Sequence, residues 1–297
     1  MTLLITIALG YGITKAGIIT AKARVDLTNL VINVILPCSI FSAFQQGLSP
    51  EILLQSLVVI LTAFGLQFLV FILNKFVYAW IPPERSVVFK YATITNNSSF
   101  IGLPIAGGIY GEIGILYGAN FLIPMRILMW TSGLSLFTNF ETKKRVITLA
   151  THPCMIAVIL GFAYVFAPFQ LPEFLSNAMR FTGDCVRVIP MFIVGSILSG
   201  VKVREVLDIH CFYYSALRLI VIPAIMFGVL TLLRLDSVVI GVTVLMAGMP
   251  AAVVTAALSE KYGRDAAFAS KTIFVSTMLS IVTLPLLAAA LTWLLPA

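Results

Sequence analysis

Thr93-Ile94-Thr95-Asn96-Asn97-Ser98-Ser99-Phe100-Ile101-Gly102-Leu103-Pro104 sets five consecutive hydrogen-bonding side chains, Thr95 to Ser99, inside a long apolar stretch. Pro104 has no amide proton and its ring clashes with the carbonyl of residue 100, so together with Gly102 it favours an interrupted helix. The meaning of that break depends on the solvent around it. Of the 297 residues 60% are hydrophobic and only 10% charged, against roughly 25% charged in a soluble domain. Apolar stretches near the about 20 residues that cross a bilayer follow one another, and short loops hold most of the charge. The fold class expected is all-α integral membrane, and Thr95 to Ser99 then lie at membrane depth. There each polar side chain has to meet protein, substrate or a wet cavity. Broken backbone is likewise tolerated only where protein or water surrounds it.

About ten transmembrane helices are expected, near residues 1–14, 25–45, 52–76, 86–110, 113–138, 150–168, 172–200, 208–233, 236–259 and 266–295. The first run, Met1 to Ile13, lacks a basic leader and a small-residue cleavage site, so it reads as a helix with short or missing first turns rather than a signal peptide. Lys15, Lys22, Arg24, Lys75, Arg85, Lys90, Lys143, Lys144, Arg145, Lys202, Arg204, Lys261 and Arg264, 13 of the 19 basic residues, fall at odd-numbered connections. The even-numbered ones hold little beyond Arg180 and Arg234. The positive-inside rule then places odd loops in the cytosol and both termini outside a multi-pass cell membrane protein.

The prolines indicate an internal duplication. Pro37 follows Ile35-Leu36 and Pro190 follows Val188-Ile189, 153 positions later; Pro104 follows Ile101-Gly102-Leu103 and Pro250 follows Ala247-Gly248-Met249, 146 positions later. Residues 1–140 form a first five-helix repeat, 141–149 a cytosolic linker, and 150–297 a second five-helix repeat. Because five is odd, the second repeat enters the membrane inverted, a plan common among secondary transporters. The ninth span is broken by Gly241, Gly248 and Pro250 and continues through the small residues Ala251-Ala252-Val253-Val254-Thr255-Ala256-Ala257, which admit close helix approach. The broken fourth and ninth spans are therefore expected to cross. A half-helix N-terminus at that crossing aims amides and a positive dipole end at an anion. The residues assigned there are Asn96, Asn97, Ser98, Gly102, Pro104, Gly248, Pro250 and Ala251, with Thr95 on the pathway.

Arg126, Arg187 and Arg218 fall within spans, where a charge at the bilayer centre costs about 2.5 to 3.5 kcal/mol on insertion scales. Asp184 precedes Arg187 by one helical turn, so these two either neutralise each other or serve the pathway or coupling. Arg126 and Arg218 have no acid at helical spacing in their own spans. They pair across helices, snorkel, or meet substrate, and both are assigned to substrate binding, since an arginine holds a carboxylate through two parallel hydrogen bonds. Lys271, near the cytosolic start of the tenth span, is read as snorkelling. Asn29 and Asn33 share a helical face before Pro37 and either line the pathway or bond a neighbouring helix. An interior with spare positive charge and one clear acid favours a small organic anion as the moving solute.

The formal net charge of +7 comes from residues set singly beside apolar spans, as topology signals are, so nucleic acid is excluded as a partner and the lipid bilayer is the expected one. Cys38, Cys154, Cys185 and Cys211 form no Cys-x-x-Cys pair and read as small buried residues; His152 and His210 are too far apart in sequence for a metal motif. No cofactor or metal is expected, and coupling to protons or sodium is left open, as is a homodimer. Enzyme activity is not expected. No Gly-x-Ser-Gly or His-Glu-x-x-His motif occurs, and Phe181-Thr182-Gly183-Asp184 lacks the first glycine of the Gly-x-Gly-Asp protease pattern.

The chain resembles the auxin efflux carrier family, whose bacterial members are described as malate or organic-anion permeases. The resemblance rests on Asn29-Leu30-Val31-Ile32-Asn33-Val34-Ile35-Leu36-Pro37, on Asn97, Phe100, Gly102 and Pro104, on Ile123-Pro124-Met125-Arg126 with Trp130, on Ile189-Pro190 with Gly195, on Arg218-Leu219 with Pro223, and on Met249-Pro250 with Glu260-Lys261-Tyr262-Gly263. It implies a ten-helix inverted-repeat fold related to bile-acid symporters and sodium/proton antiporters, with substrate where two broken helices cross. The first span is shorter than the family's. The function expected is a secondary transporter that moves a small organic anion such as a carboxylate by alternating access. The alternatives are a sodium-coupled symporter of the bile-acid type and an anion channel.

Overall fold

The computed structural model describes residues 2–45, 49–133, 135–137, 151, 153–167, 170–199 and 208–295. The linker 141–149 with Lys143, Lys144 and Arg145, the residues Lys202, Arg204 and His152, and the side chains of Trp130, Arg187, Glu260 and Lys261 lie outside the described residues. Within them the chain runs α1 (Thr2–Lys15), α2 (Ala21–Leu30), α3 (Leu36–Phe44), α4 (Pro50–Phe76), α5 (Pro83–Ile94), α6 (Leu103–Leu128), α7 (Pro153–Val165), α8 (Glu173–Asp184), α9 (Ile189–Ser199), α10 (Ile209–Ala216), α11 (Ile222–Leu232), α12 (Ser237–Ala247), α13 (Val254–Lys261) and α14 (Ala266–Leu294). Among the described residues five stretches are, by length and composition, long and apolar enough to cross a membrane: Ala21–Ser42, Pro50–Phe76, Ser98–Leu128, Ile209–Leu232 and Ala266–Leu294. The helices α7 and α12 are shorter and also apolar.

α4 shows what solvent these helices require. Val59, Ala63, Leu66 and Val70 are buried along one face, while Leu57, Leu61, Phe64, Phe68 and Phe71 are exposed along the other. Both sets recur at three- and four-residue intervals, so the helix is apolar on its packed and its open side, as lipid demands and water penalises.

Two prolines are met by widened turns instead of breaks. Val31–Ile35 and Leu217–Val221 are π-helical; the Leu36 N–H reaches back to the Val31 carbonyl and the Ile222 N–H to the Leu217 carbonyl. Each turn precedes a helix with proline at its second position, Pro37 in α3 and Pro223 in α11. Proline clashes with the carbonyl four residues back and cannot bond it, and a widened turn relieves that clash while the chain stays helical.

The chain divides into two compact units, each drawn from both halves of the sequence. The first comprises residues 1–56, 99–120 and 150–201. In it α1 packs on α9 and α3 packs on α7 and α8. Glycines make these approaches: a Cβ on Gly10 would lie 2.6 Å from the Phe192 Cα, one on Gly161 would enter the Phe44 ring, and one on Gly183 would lie 2.7 Å from the Ser39 Cα. α6 turns at Gly111, whose φ of 63° suits glycine. Gly114 then packs on the Ala106 carbonyl and Gly107 on Ile115, contacts that a straight helix cannot make.

The second unit comprises residues 57–98, 121–149 and 202–297. Its centre is Phe89 on α5, stacked on Tyr214 of α10 at 5.2 Å and tilted against Phe268 of α14 at 5.0 Å. Acids cap its helices, as their short side chains suit: Asp236 accepts from Val238 N and Val239 N, Asp265 from Phe268 N, and Asp208 from His210 N. Asp208 also meets Arg85 at 3.4 Å and the His210 ring at 2.8 Å, and Trp80 stacks on that ring. Burial opposes ionisation of Asp208, but hydrogen bonds from the His210 ring and backbone, with the charges of His210 and Arg85, outweigh it and hold the carboxyl below its usual range. A carboxyl depressed in the folded state adds stability above its unfolded value, about pH 3.9, and loses it as pH falls further. Asp208→Asn is therefore expected to lower the melting temperature slightly at pH 7 and by less at an acidic pH below about 3.9. A constant difference at both pH values would mean that the carboxylate charge is not what matters.

Candidate functional site

α5 ends at Ile94, and Thr95 turns extended at φ −113° and ψ 116°. Asn96 then pairs antiparallel with Ala251, and the Asn97 N–H donates to the Pro250 carbonyl at 2.8 Å. Pro250 can offer only that carbonyl, so the interrupted fourth and ninth spans are joined where each has lost its helix. Asn96 holds both sides of the junction. Its Nδ2 donates to the Met246 carbonyl at 2.7 Å, and its Oδ1 accepts from the Ser98 N–H at 3.3 Å, an Asx turn that starts the next helical segment. The Ser98 hydroxyl lies within reach of both Asn96 Oδ1 and the Met246 carbonyl, and with one proton it donates to one at a time. On the other strand the Ala251 N–H donates to Ser276 Oγ at 3.2 Å.

A helix that stops inside protein leaves its last carbonyls without partners. Here side chains supply them. Tyr214 OH donates to the Ala92 carbonyl, Arg218 to Thr93, and Gln67 Nε2 to Ile94, at 2.8, 3.2 and 3.4 Å, and one position before these last carbonyls Asn74 Nδ2 donates to Lys90 at 3.0 Å. The Thr95 hydroxyl donates to Tyr91. Arg218 also donates through Nε to the Met249 carbonyl at 3.1 Å, just beyond α12.

The structure thus brings Asn96, Asn97, Ser98, Pro250, Ala251 and Arg218 together in the second unit, and Thr95 caps α5. Arg126 is buried in the same unit, near the end of α6. Gly248 is buried against Leu287 and Pro223. Gly241 does not interrupt the ninth span as expected: α12 is buried along Val239 to Ala247, where packing outweighs glycine's poor helix propensity, and helix ends only before Gly248. Gly102 closes a π-helical segment, Ser98–Gly102, and Pro104 is the second residue of α6, so a widened turn absorbs it as at Pro37 and Pro223. The break therefore lies upstream of Pro104, at Thr95 to Asn97. Asn33 and Asp184 belong to the first unit. Asn33 donates back to the Asn29 carbonyl of its own helix, and both asparagines are exposed. The Asp184–Arg187 pairing involves a side chain outside the described residues.

Gln67, Asn74 and Tyr214 were not singled out from sequence. Gln67 and Asn74 are seven apart in an apolar helix, one face of two turns, and that spacing was the available signal. Asn120 of α6 also went unnoticed: it is fully buried, and neither atom of its amide has a partner among the described residues. No group of three or more metal-binding side chains occurs among the described residues.

A chain whose described elements are all helices, with apolar helices of bilayer length and two interrupted helices hydrogen-bonded through their breaks, is a multi-pass membrane protein. The family model described as membrane transport protein matches residues 1–148 and again 140–288. The chain belongs to this family, the auxin efflux carriers, and is a membrane transporter. An uncharacterized transporter of Methanothermobacter thermautotrophicus is 27% identical to it over 300 residues, covering 96% of this chain and 95% of the relative. An uncharacterized transporter of Methanocaldococcus jannaschii is 25% identical over 300 residues, covering 96% of each.

Proposed function

We propose that this transporter moves a small organic anion, such as a carboxylate, across the cell membrane by alternating access, and that the solute meets the junction of the fourth and ninth spans. The observation that carries the reading is the pairing of Asn96 with Ala251. Two interrupted helices joined by backbone are where transporters of this type hold substrate, and α13 starts beside the junction with the positive end of its dipole. Asn96, Asn97 and Ser98 with Pro250 and Ala251 form its polar floor, and Arg126 supplies the charge that draws the anion.

Ten spans in two inverted repeats is the architecture proposed, and contacts in the first unit support it. Gly10 packs on Phe192, and Gly161 packs on Phe44. Gly10 and Gly161 are 151 positions apart, and Phe44 and Phe192 are 148 apart, close to the proline offsets. Each repeat thus sets a glycine against a phenylalanine of the other, at its backbone for Phe192 and at its ring for Phe44, and the matching positions support a two-fold relation. The two stretches matched by the family model meet at the proposed linker. The placing of odd connections on one side is supported by Arg85, Asp208 and Phe268, which lie in or just after three such connections and gather at one end of the second unit.

Proteoliposomes loaded against labelled malate and related acids test the reading. Saturable uptake and counterflow are expected; a folded protein with no saturable flux of any organic anion would falsify it, and non-saturating conductance would indicate a channel. Arg126→Gln is expected to lower uptake by about tenfold or more, the worth of one charged hydrogen bond, a larger loss than it causes in stability. Equal loss of uptake and stability would make Arg126 structural.

A further inference from the structure

Arg218 is 2% exposed and, among the described residues, makes no ion pair. Its two bonds go to carbonyls at the ends of different helices: Thr93 in the last turn of α5 and Met249 just past α12. A helix C-terminus carries about half a negative charge, so two of them together match one guanidinium. The same place gathers the Ile94 and Met246 carbonyls, already partnered by Gln67 and Asn96. Freed carbonyls and half-helix C-termini are the groups with which interrupted transporter helices coordinate a coupling sodium ion.

We propose that Arg218 is a tethered counter-ion that occupies the seat of a coupling cation, so that the second unit holds its fold, and the transporter works, without sodium. An arginine suits this role better than a diffusible ion. It stays charged under all conditions, is weakly hydrated, and its planar fork presents donors in two directions, one toward each helix end. Tyr214, one turn earlier on the same helix, caps the neighbouring Ala92 carbonyl, which fixes the approach of Arg218 to α5. The role of Arg218 is positioning: it joins the two broken helices end to end and leaves the solute to other groups. The inference goes beyond the anion-carrier reading and holds whichever solute is carried, and its readout is unfolding rather than flux, so the two ideas fail separately.

The experiment is thermal unfolding of the full chain in detergent micelles, in sodium, potassium or choline chloride at equal ionic strength. Wild-type protein is expected to melt at one temperature in all three salts. Arg218→Gln, which keeps a donor but loses the charge, is expected to melt about 5 °C lower or more and to recover part of that loss in sodium but not in choline. Arg218→Lys, which keeps the charge but loses the fork, is expected to melt between the wild type and the Gln variant. Sodium-selective stabilisation of the wild type overturns the proposal. So does a Gln variant that melts like wild type or ignores sodium, or a Lys variant as unstable as the Gln variant. If the Gln variant does not fold, the wild-type salt series and the Lys variant decide.

Discussion

Asn96→Asp is expected to abolish measurable uptake and to lower the melting temperature at least as far as Asn96→Ala does, although aspartate has nearly the size of asparagine. The amide serves two opposite needs. Its nitrogen donates to the Met246 carbonyl of α12, and its oxygen accepts from Ser98. Alanine removes both, and each buried group left without a partner costs about 1–3 kcal/mol. Aspartate keeps the acceptor but turns an oxygen toward the Met246 carbonyl, replacing an attraction with a repulsion in a fully buried place. The loss of flux follows because the same amide ties the Asn97–Pro250 junction to α12. Paired unfolding and uptake measurements on both variants check this. An Asp variant that melts and transports as well as wild type would show that Met246 and Ser98 do not need the amide.

How far this site was legible follows from what a sequence displays. The polar run Thr95 to Ser99 stands out against its apolar surroundings, and so do Gly248 and Pro250. Their being joined followed from placing both at membrane depth. Where each helix would stop was less clear. Proline suggested Pro104 as the break, yet the helix continues through it behind the widened turn Ser98–Gly102, and the chain unwinds at Asn96 because its side chain replaces backbone bonds on both sides. Pro37 and Pro223 show the same ambiguity, since a widened turn absorbs each one and the helix continues. The arginines were visible as buried charge, but the partners of Arg218 are backbone carbonyls that become free only once two breaks are located. Gln67 and Asn74 answer other carbonyls of α5, those of Ile94 and Lys90, across 27 and 16 residues of sequence, a pairing no local pattern records.

Asn120→Leu is expected to separate stability from transport. Asn120 is fully buried in α6, and neither its side-chain nitrogen nor its oxygen has a partner among the described residues. Four residues on, Pro124 has no amide proton to offer the Asn120 carbonyl. A dry amide in that state costs about 1–3 kcal/mol, and replacing it with an apolar group of similar size removes the cost. The melting temperature of Asn120→Leu is therefore expected to equal or exceed that of the wild type. Sites that keep an unsatisfied polar group against this gradient tend to be those where function requires it. If water or solute meets the amide during the transport cycle, uptake by the Leu variant falls about tenfold, the worth of one such hydrogen bond to a charged solute. Lower stability in Asn120→Leu would mean that the amide is satisfied in the folded protein, and wild-type uptake would place Asn120 off the route of the solute.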